Sequence, residues 1–475
     1  MANSDDTSIG GRFAPTGRER RWPIVFRSLG QALQGARLAV ALIAFIILMA
    51  CGSAWDALSP NRVDPFGRET VANAPEAARW TLPRALEDED RTKLAEMENL
   101  SYADLKAAVI ERYRARMDQA NLERLEPRDE AHAAQIRQRM RGYEDAAASA
   151  LQTIRLEEPI GVFRFTTNRL GSIGSDVIAG LWTLNLATAW ESVQTAWARL
   201  GNLGSTLWHN HTVFSIVFGV LLILLFCFAG GAISRMTALD LSEGRAMRST
   251  EGIGFSLARF RGSLLSLLFF PIVALLLCLL IAVVWGILLR FPALNIIGAL
   301  GCGLALLLGL IVVLIGVGFL ACFSLMVPAL AVEQTDGYDA QQRAYAYLLA
   351  RPGHLVLYTL LALIQGAVAL TIIWVVALAT LNLTAALAGW IGGDAVQEMA
   401  GGWSRLLEDR EVWMLSGTQR FAAGLIGIWR AILAALVAAF LISFYFSSQT
   451  IIYLLLRWEA DGEAIEPTDL AAAAD

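Results

Sequence analysis

Long runs without Asp, Glu, Lys or Arg alternate with charged stretches along this chain. Five of the runs exceed the roughly 20 apolar residues that a helix needs to cross a bilayer, and a sixth, shorter run lies near the start. They are residues 38–55, 213–234, 263–289, 291–332, 352–393 and 431–456. The pattern predicts an all-α fold, a polytopic membrane helix bundle of about six transmembrane helices.

The run 291–332 is longer than a membrane requires. As one straight helix it would extend roughly 60 Å, so it must tilt, overshoot the bilayer or break. The candidate break points are two glycine pairs, Gly301 with Gly303 and Gly316 with Gly318. Pro328 is expected to end the helix.

Residues 85–158 are densely charged and favour helix. The stretch Ser101-Tyr102-Ala103-Asp104 has the spacing of a capping box and is expected to open a first helix. A second helix is expected from about Pro127 to about Leu156, because proline is tolerated in a first helical turn. Together they predict an antiparallel extracytoplasmic helical hairpin, which is either a partner-binding arm or a solvated spacer.

Residues 160–208 combine four tryptophans with few charges, and Trp190 and Trp197 share a helical face. Tryptophan prefers the headgroup layer of a bilayer, so the stretch predicts one or two interfacial helices. The alternative is a weak extra pair of spans. Four charged residues argue against that alternative: Arg169, Asp176, Glu191 and Arg199.

Arginines predict the orientation. Six of them precede the first run: Arg12, Arg18, Arg20, Arg21, Arg27 and Arg37. Clustered positive charge stays in the cytoplasm, so both termini are expected there, in a multi-pass membrane protein with cytoplasmic loops at 235–262 and 328–353. The predicted layout is a cytoplasmic basic segment (1–37), a first span (38–55), an extracytoplasmic hairpin with interfacial helices (56–212), a five-span bundle (213–457) and an acidic cytoplasmic tail (458–475).

Composition narrows the function classes. A mean hydropathy of +0.51 with 17% charged residues argues against a soluble enzyme, and the net charge of −5 gives no electrostatic basis for a nucleic-acid partner.

Cys51 follows a sequence that roughly resembles a lipobox, but the stretch before it is long for a signal peptide. His209 and His211 lack an evident third metal ligand. We predict no catalytic, cofactor or metal site and expect that the chain is not an enzyme.

The intramembrane polar residues are few. They are Gln365 and the run Ser447-Ser448-Gln449-Thr450, together with isolated threonines. Such groups more often hydrogen-bond one helix to another than bind a substrate. Gln365 and Gln449 both fall in the inner half of the membrane, at depths that would let them meet. The runs themselves hold no charged residue, which argues against ion-coupled transport.

Two cytoplasmic loops have similar sequences. Phe255-Ser256-Leu257-Ala258-Arg259 precedes one span, and Tyr347-Leu348-Leu349-Ala350-Arg351 precedes another. Either spans two and three repeat as spans four and five, or the similarity arises by chance in a biased composition.

The second loop contains Val327-Pro328-Ala329-Leu330-Ala331-Val332-Glu333, Thr335-Asp336-Gly337-Tyr338-Asp339-Ala340, Arg343 and Arg351-Pro352, and the last span closes with residues 443–457. These sequences resemble an uncharacterised family of bacterial polytopic inner-membrane proteins, which is similar to the membrane domain attached to some glycerophosphodiester phosphodiesterases. The resemblance covers about residues 213–463. It implies an integral inner-membrane protein and no particular activity.

Five residues define the predicted elbow between spans four and five: Pro328, Glu333, Asp339, Arg343 and Arg351. Arg343 is expected to pair with Glu333 across the turn and to fix the entry angle of the fifth span. A pair with Asp339 at i, i+4 would contribute only ~0.2 to 0.5 kcal/mol on an exposed helix. The alternatives are a solvated charge run and an arginine that binds lipid phosphate.

These features predict a non-enzymatic membrane scaffold or accessory subunit. Its expected partners are membrane lipids and other membrane or periplasmic proteins, bound through the 85–158 hairpin. The alternative is a transporter or lipid-handling protein with a cleft between two pseudo-repeats.

Overall fold

The computed structural model describes residues 22–59, 62–64, 69–70, 101–125, 129–183, 185–292, 294–393 and 417–462, with the single residues 396 and 399. Over this part of the chain the fold is all-α, which confirms the predicted class. Six of its helices are long and apolar enough to cross a membrane, as the hydrophobic pattern predicts.

A 3₁₀ turn at Trp22–Phe26 opens the described chain. The helices that follow are α1 (Arg27–Ala32), α2 (Gly35–Leu58), α3 (Tyr102–Leu125), α4 (Glu130–Glu157), α5 (Val162–Trp182), α6 (Leu186–Asn210), α7 (Thr212–Ser242), α8 (Ser249–Ala258), α9 (Phe260–Arg290), α10 (Leu294–Leu300), α11 (Cys302–Glu333), α12 (Gly337–Ala350), α13 (Pro352–Gly392) and α14 (Gly417–Asp461). The candidate spans are α2, α7, α9, α11, α13 and most of α14.

Several helices continue past the apolar runs that predict them. α7 extends to Ser242, so Arg235 and Asp240 lie inside a helix and not in the predicted loop 235–262. α14 extends to Asp461, so residues 458–461 are helical and not part of an acidic tail; residues 463–475 lie outside the described chain. The charge-free run marks only the apolar part of a helix, whereas capping and packing decide where it ends.

The long run 291–332 breaks at Gly301, between α10 and α11, as predicted. The prediction that Pro328 ends this helix is wrong, because Pro328 is buried inside α11. A proline removes one backbone hydrogen bond, which a membrane helix tolerates when neighbouring groups pack around it. α11 instead ends at Glu333, where Gln334 adopts a left-handed φ of 54°.

The chain divides into two compact units. The first comprises Met1–Leu48, Val220–Val375 and Leu433–Asp475, and the second comprises Met49–Gly219 and Val376–Ile432. Apolar side chains from α11, α12 and α14 meet in the core of the first unit, among them Met326, Tyr347 and Ile451. Between membrane spans such contacts are stabilised by van der Waals packing and by hydrogen bonds between helices.

The segment before the first span packs into the first unit. Val25, Ser28 and Ala32 are fully buried, and Val25 belongs to the same core as α11 and α14. Residues 22–37 of the predicted cytoplasmic basic segment 1–37 therefore form a packed part of the unit. Four of its arginines lie outside the described residues: Arg12, Arg18, Arg20 and Arg21.

In the second unit, α3 and α4 form the predicted antiparallel hairpin. The hydroxyl of Ser101 accepts the backbone N–H of Asp104 at 3.2 Å, so the capping residue is the predicted one. The second helix begins at Glu130, with Asp129 as its cap, and 126–128, including Pro127, lie outside the described residues. An apolar seam joins the two helices through Leu105, Val109, Tyr113, Met117, Ala147, Ala150, Leu151 and Ile154.

The helices α5 and α6 form a second hairpin in the same unit. Both carboxylate oxygens of Asp56, at the end of α2, accept backbone N–H groups of Phe163 and Arg164 at 2.9 Å, in the first turn of α5. A carboxylate is favourable there because helix N-termini carry unpaired N–H groups and a positive dipole end. Beside this contact, two-residue strands form an antiparallel sheet: β1 (Arg62–Val63) lies between β2 (Glu69–Thr70) and β3 (Ile160–Gly161).

Candidate functional site

A group of polar side chains surrounds Glu333 at the end of α11, and we call Glu333, Arg343, Tyr453 and Arg457 the Glu333 cluster. Arg343 Nη1 lies 2.7 Å from Glu333 Oε2, and the hydroxyl of Tyr453 donates to Oε1 at 2.9 Å. Arg457 Nε lies 3.5 Å from the same Oε1. The side chain of Glu333 is only 6% exposed, so one nearly buried carboxylate joins α11, α12 and α14.

The next turn of α14 extends this network. The hydroxyl of Tyr347 donates to Asp461 Oδ2 at 2.6 Å. Burial, and then this bond to a carboxylate, raises the pKa of Tyr347, which keeps the phenol a donor. Glu459 accepts from the hydroxyl of Tyr358 and lies 3.2 Å from Nε2 of His354, both on α13. The C-terminal end of α14 therefore contacts both α12 and α13.

The predicted elbow residues have different environments. The Glu333–Arg343 pair forms as predicted. Asp339 and Arg351 are exposed, and the ion pair that the structure gives to Arg343 is with Glu333 and not with Asp339. The side chain of Arg343 stays 45% exposed while that of Glu333 is 6% exposed.

The two loops with similar sequences also share a local geometry. Arg259 follows α8 and Arg351 follows α12 as the C-terminal capping residue, and the backbone N–H of each arginine donates to the carbonyl four residues earlier, at 3.0 and 3.1 Å. The carbonyl of each arginine then accepts the N–H four residues later, from Ser263 and Leu355. Each short helix thus leads into the next span through a single arginine.

A second polar group joins the first two candidate spans, and the sequence reasoning missed it. Arg37 Nη2 lies 3.1 Å from Asp240 Oδ2, and the side chains are 1% and 15% exposed. Arg37 also donates to the carbonyls of Gln31 and Met236, while Gln34 donates to Asp240 at 2.7 Å. The charge-free runs hold no charged residue, but the helices extend beyond them and include Arg37 on α2 and Asp240 on α7. The expectation that the spans hold no charged residue is therefore wrong for the complete helices.

Gln365 joins the fifth span to the N-terminal segment. Its Oε1 accepts from the hydroxyl of Ser28 at 3.1 Å, and its Nε2 donates to the carbonyl of Phe26 at 2.9 Å. Ser443 on α14 holds the same segment by donating to the carbonyl of Ala32. The suggested meeting of Gln365 with Gln449 does not occur, since the hydrogen bonds of Gln365 are with residues 26 and 28.

The run 447–450 on α14 is buried throughout. The hydroxyl of Thr237 donates to the hydroxyl oxygen of Ser447 at 3.3 Å, which joins α7 to α14. Ser448 and Thr450 donate to carbonyls one turn earlier on their own helix. Gln449 Oε1 is buried without a hydrogen-bond partner within the described part of the chain.

Replacing Gln365 by leucine is expected to lower the free energy of unfolding by about 1 to 2 kcal/mol, the range for hydrogen bonds between membrane helices. The matched control is Gln449→Leu, which removes a carbonyl oxygen that lacks a partner and is expected to cost at most about 0.5 kcal/mol. Unfolding titrations with dodecyl sulfate in mixed micelles measure both. Equal losses in the two variants would contradict the assignment of Gln365 as a contact between helices.

The remaining candidates from the sequence do not gather into a site. His211 is the residue between α6 and α7, and His209 lies exposed in the last turn of α6. Among the described residues, no three His, Cys, Asp or Glu side chains are grouped so as to hold a metal ion. No protein-family model matches this chain, and neither a curated protein nor a solved structure matches it.

Proposed function

We propose that this chain is a non-enzymatic scaffold or accessory subunit of the bacterial inner membrane, with both termini in the cytoplasm. In this proposal the first unit is a fixed membrane anchor, and the α3–α4 hairpin is an extracytoplasmic arm that binds another membrane or periplasmic protein. The proposal includes that the chain is related to the uncharacterised polytopic inner-membrane proteins that residues 213–463 resemble.

The observation that carries the proposal is how the polar groups of the first unit are used. Glu333 has hydrogen-bond or ion-pair partners on α12 and α14, and Arg37 has partners on α7 and at the end of α1. Groups that bond one helix to another stabilise a single arrangement of the bundle. This use of polar side chains is typical of a structural anchor, whereas a reaction requires titratable groups that converge on a substrate.

The hairpin supplies the surface for a partner. Its apolar residues are used in the seam between α3 and α4, and its outer face carries exposed charged side chains: Glu111, Asp118, Arg137, Arg141 and Asp145. A charged, mixed-sign helical surface favours a partner with complementary charge, and such contacts give specificity more than affinity.

A matched pair of exposed glutamines tests the orientation and the arm together. In a variant without native cysteines, Gln138→Cys on α4 is expected to react with a membrane-impermeant thiol reagent in intact cells, and Gln342→Cys on α12 only after lysis. A photo-crosslinking residue at 138 is expected to give an adduct of discrete mass in intact cells. Labelling at 342 in intact cells would contradict the orientation, and the absence of any adduct at 138 would contradict the arm.

A transporter or lipid-handling protein is the second candidate, and one observation favours it. The two elbows share a geometry at Arg259 and Arg351, as expected for two repeats that pack around a common cleft. Reconstituted vesicles with a fluorescent phospholipid distinguish the candidates. Lipid exchange between leaflets above that of protein-free vesicles would replace the scaffold proposal.

A further inference from the structure

One face of α6 carries an apolar stripe, which Gln194 borders between Trp190 and Trp197. Its residues follow each other at intervals of three and four, which places them on one side of a helix. They are Trp190 (63% exposed), Val193 (42%), Trp197 (72%), Leu200 (40%), Gly204 and Trp208 (55%). The stripe extends for roughly 27 Å at the helical rise.

An adjacent side of α6 packs on α5. Gly180 of α5 lies so close to Ser192 that an added Cβ would be 2.2 Å from its hydroxyl oxygen. Arg199 bonds to Asp176 across the same hairpin, and Ala196 is buried. The stripe therefore does not serve the contact between α5 and α6.

Charged residues avoid the stripe. Glu191 and Arg199 are the charged residues of α6, and both lie off it, as does His209. Three tryptophans with no charge along such a length are unusual on a face that contacts water, because large exposed apolar patches mark interaction sites. Tryptophan has an apolar body and one N–H donor, which suits the boundary between headgroups and acyl chains.

The connections of α6 hold the stripe close to membrane-spanning helices. His211 alone separates α6 from α7, whose first turns expose Val213, Ile216 and Val217. At the start of the hairpin, the carboxylate of Asp56 at the end of the first candidate span caps α5. The hairpin of α5 and α6 is thus hydrogen-bonded to the last turn of α2 at one end and connected to the first turn of α7 at the other.

We propose that α6 lies along the membrane surface and inserts the stripe into the boundary between headgroups and acyl chains, in the leaflet where α7 begins. α5 covers an adjacent side of α6. The occupant is lipid rather than protein, since the stripe is apolar and tryptophan-rich and is followed in the chain, after His211, by the exposed apolar residues with which a candidate span begins. This inference requires the membrane spans and does not depend on the scaffold proposal.

Nitroxide spin labels test the inference in the full-length protein. The labels are attached to single cysteines in a variant without native cysteines, reconstituted in phosphatidylcholine vesicles. Val193→Cys and Leu200→Cys report on the stripe, and Thr195→Cys and Asn202→Cys are exposed controls on the far side of the helix. Oxygen is expected to collide with the label more than a water-soluble nickel chelate at 193 and 200, with the reverse order at 195 and 202.

The outcomes separate lipid from the other occupants. Nickel accessibility at 193 and 200 equal to that at 195 and 202 would place the stripe in water and overturn the proposal. Low accessibility to both reagents at 193 and 200 would place a protein there, and spin–spin broadening that vanishes on dilution with unlabelled protein would identify a second copy. Either result also overturns the proposal. The substitutions at 193 and 200 leave all three tryptophans of the stripe in place.

Discussion

Replacing Arg37 by methionine is expected to lower the free energy of unfolding by about 3 to 5 kcal/mol. The substitution leaves the carboxylate of Asp240 largely buried without its cation, and removing one partner of a buried pair has this typical cost. It also removes the donor to the carbonyls of Gln31 and Met236. Unfolding titrations with dodecyl sulfate in mixed micelles measure the change.

Two further variants control for this result. Arg245 is 68% exposed and lies 4.0 Å from Glu251, so Arg245→Met is expected to change stability by less than about 1 kcal/mol. The double variant Arg37→Met with Asp240→Leu is expected to recover most of the loss, because apolar residues often replace a buried ion pair without a net cost. A loss in Arg37→Met no larger than in Arg245→Met would contradict the proposed role of the pair.

Replacing Glu333 by alanine is the second large effect, and we again expect a loss of about 3 to 5 kcal/mol. The variant removes the acceptor for Tyr453 and the counter-charge of both Arg343 and Arg457. Arg343→Ala is expected to cost less than about 1 kcal/mol, since Arg343 is 45% exposed and Glu333 keeps Arg457 and Tyr453 as partners in that variant. Thermal stability in detergent, measured by fluorescence-detected size exclusion, gives the order of the variants.

The exchange of the two charges distinguishes a cluster from a simple pair. Glu333→Arg combined with Arg343→Glu is expected to restore little stability, because the guanidinium introduced at position 333 would face Arg457. Full recovery in the double variant would show that Glu333 and Arg343 act as an isolated pair. Equal losses from Glu333→Ala and Arg343→Ala would contradict the greater importance assigned to the buried carboxylate.

The candidate site was predictable only where its residues are close in sequence. Glu333 and Arg343 are ten residues apart on either side of one turn, so their contact follows from local geometry. Tyr453 is 120 residues from Glu333, and Arg37 is 203 residues from Asp240. Nothing in the local pattern around those residues indicates which distant helix becomes a neighbour.

The sequence by itself determined the class of this protein, the number of candidate spans and the hairpin of α3 and α4. These features depend on local quantities, namely the apolar length of a segment, its helical period and a capping residue such as Ser101. Only the tertiary structure decided that residues 22–32 pack into the first unit, that α11 continues through Pro328, and that Gln365 bonds to Ser28 rather than to Gln449. A polar group inside a bundle bonds to whichever donor or acceptor the packing of helices brings near it, and that packing is a property of the whole chain.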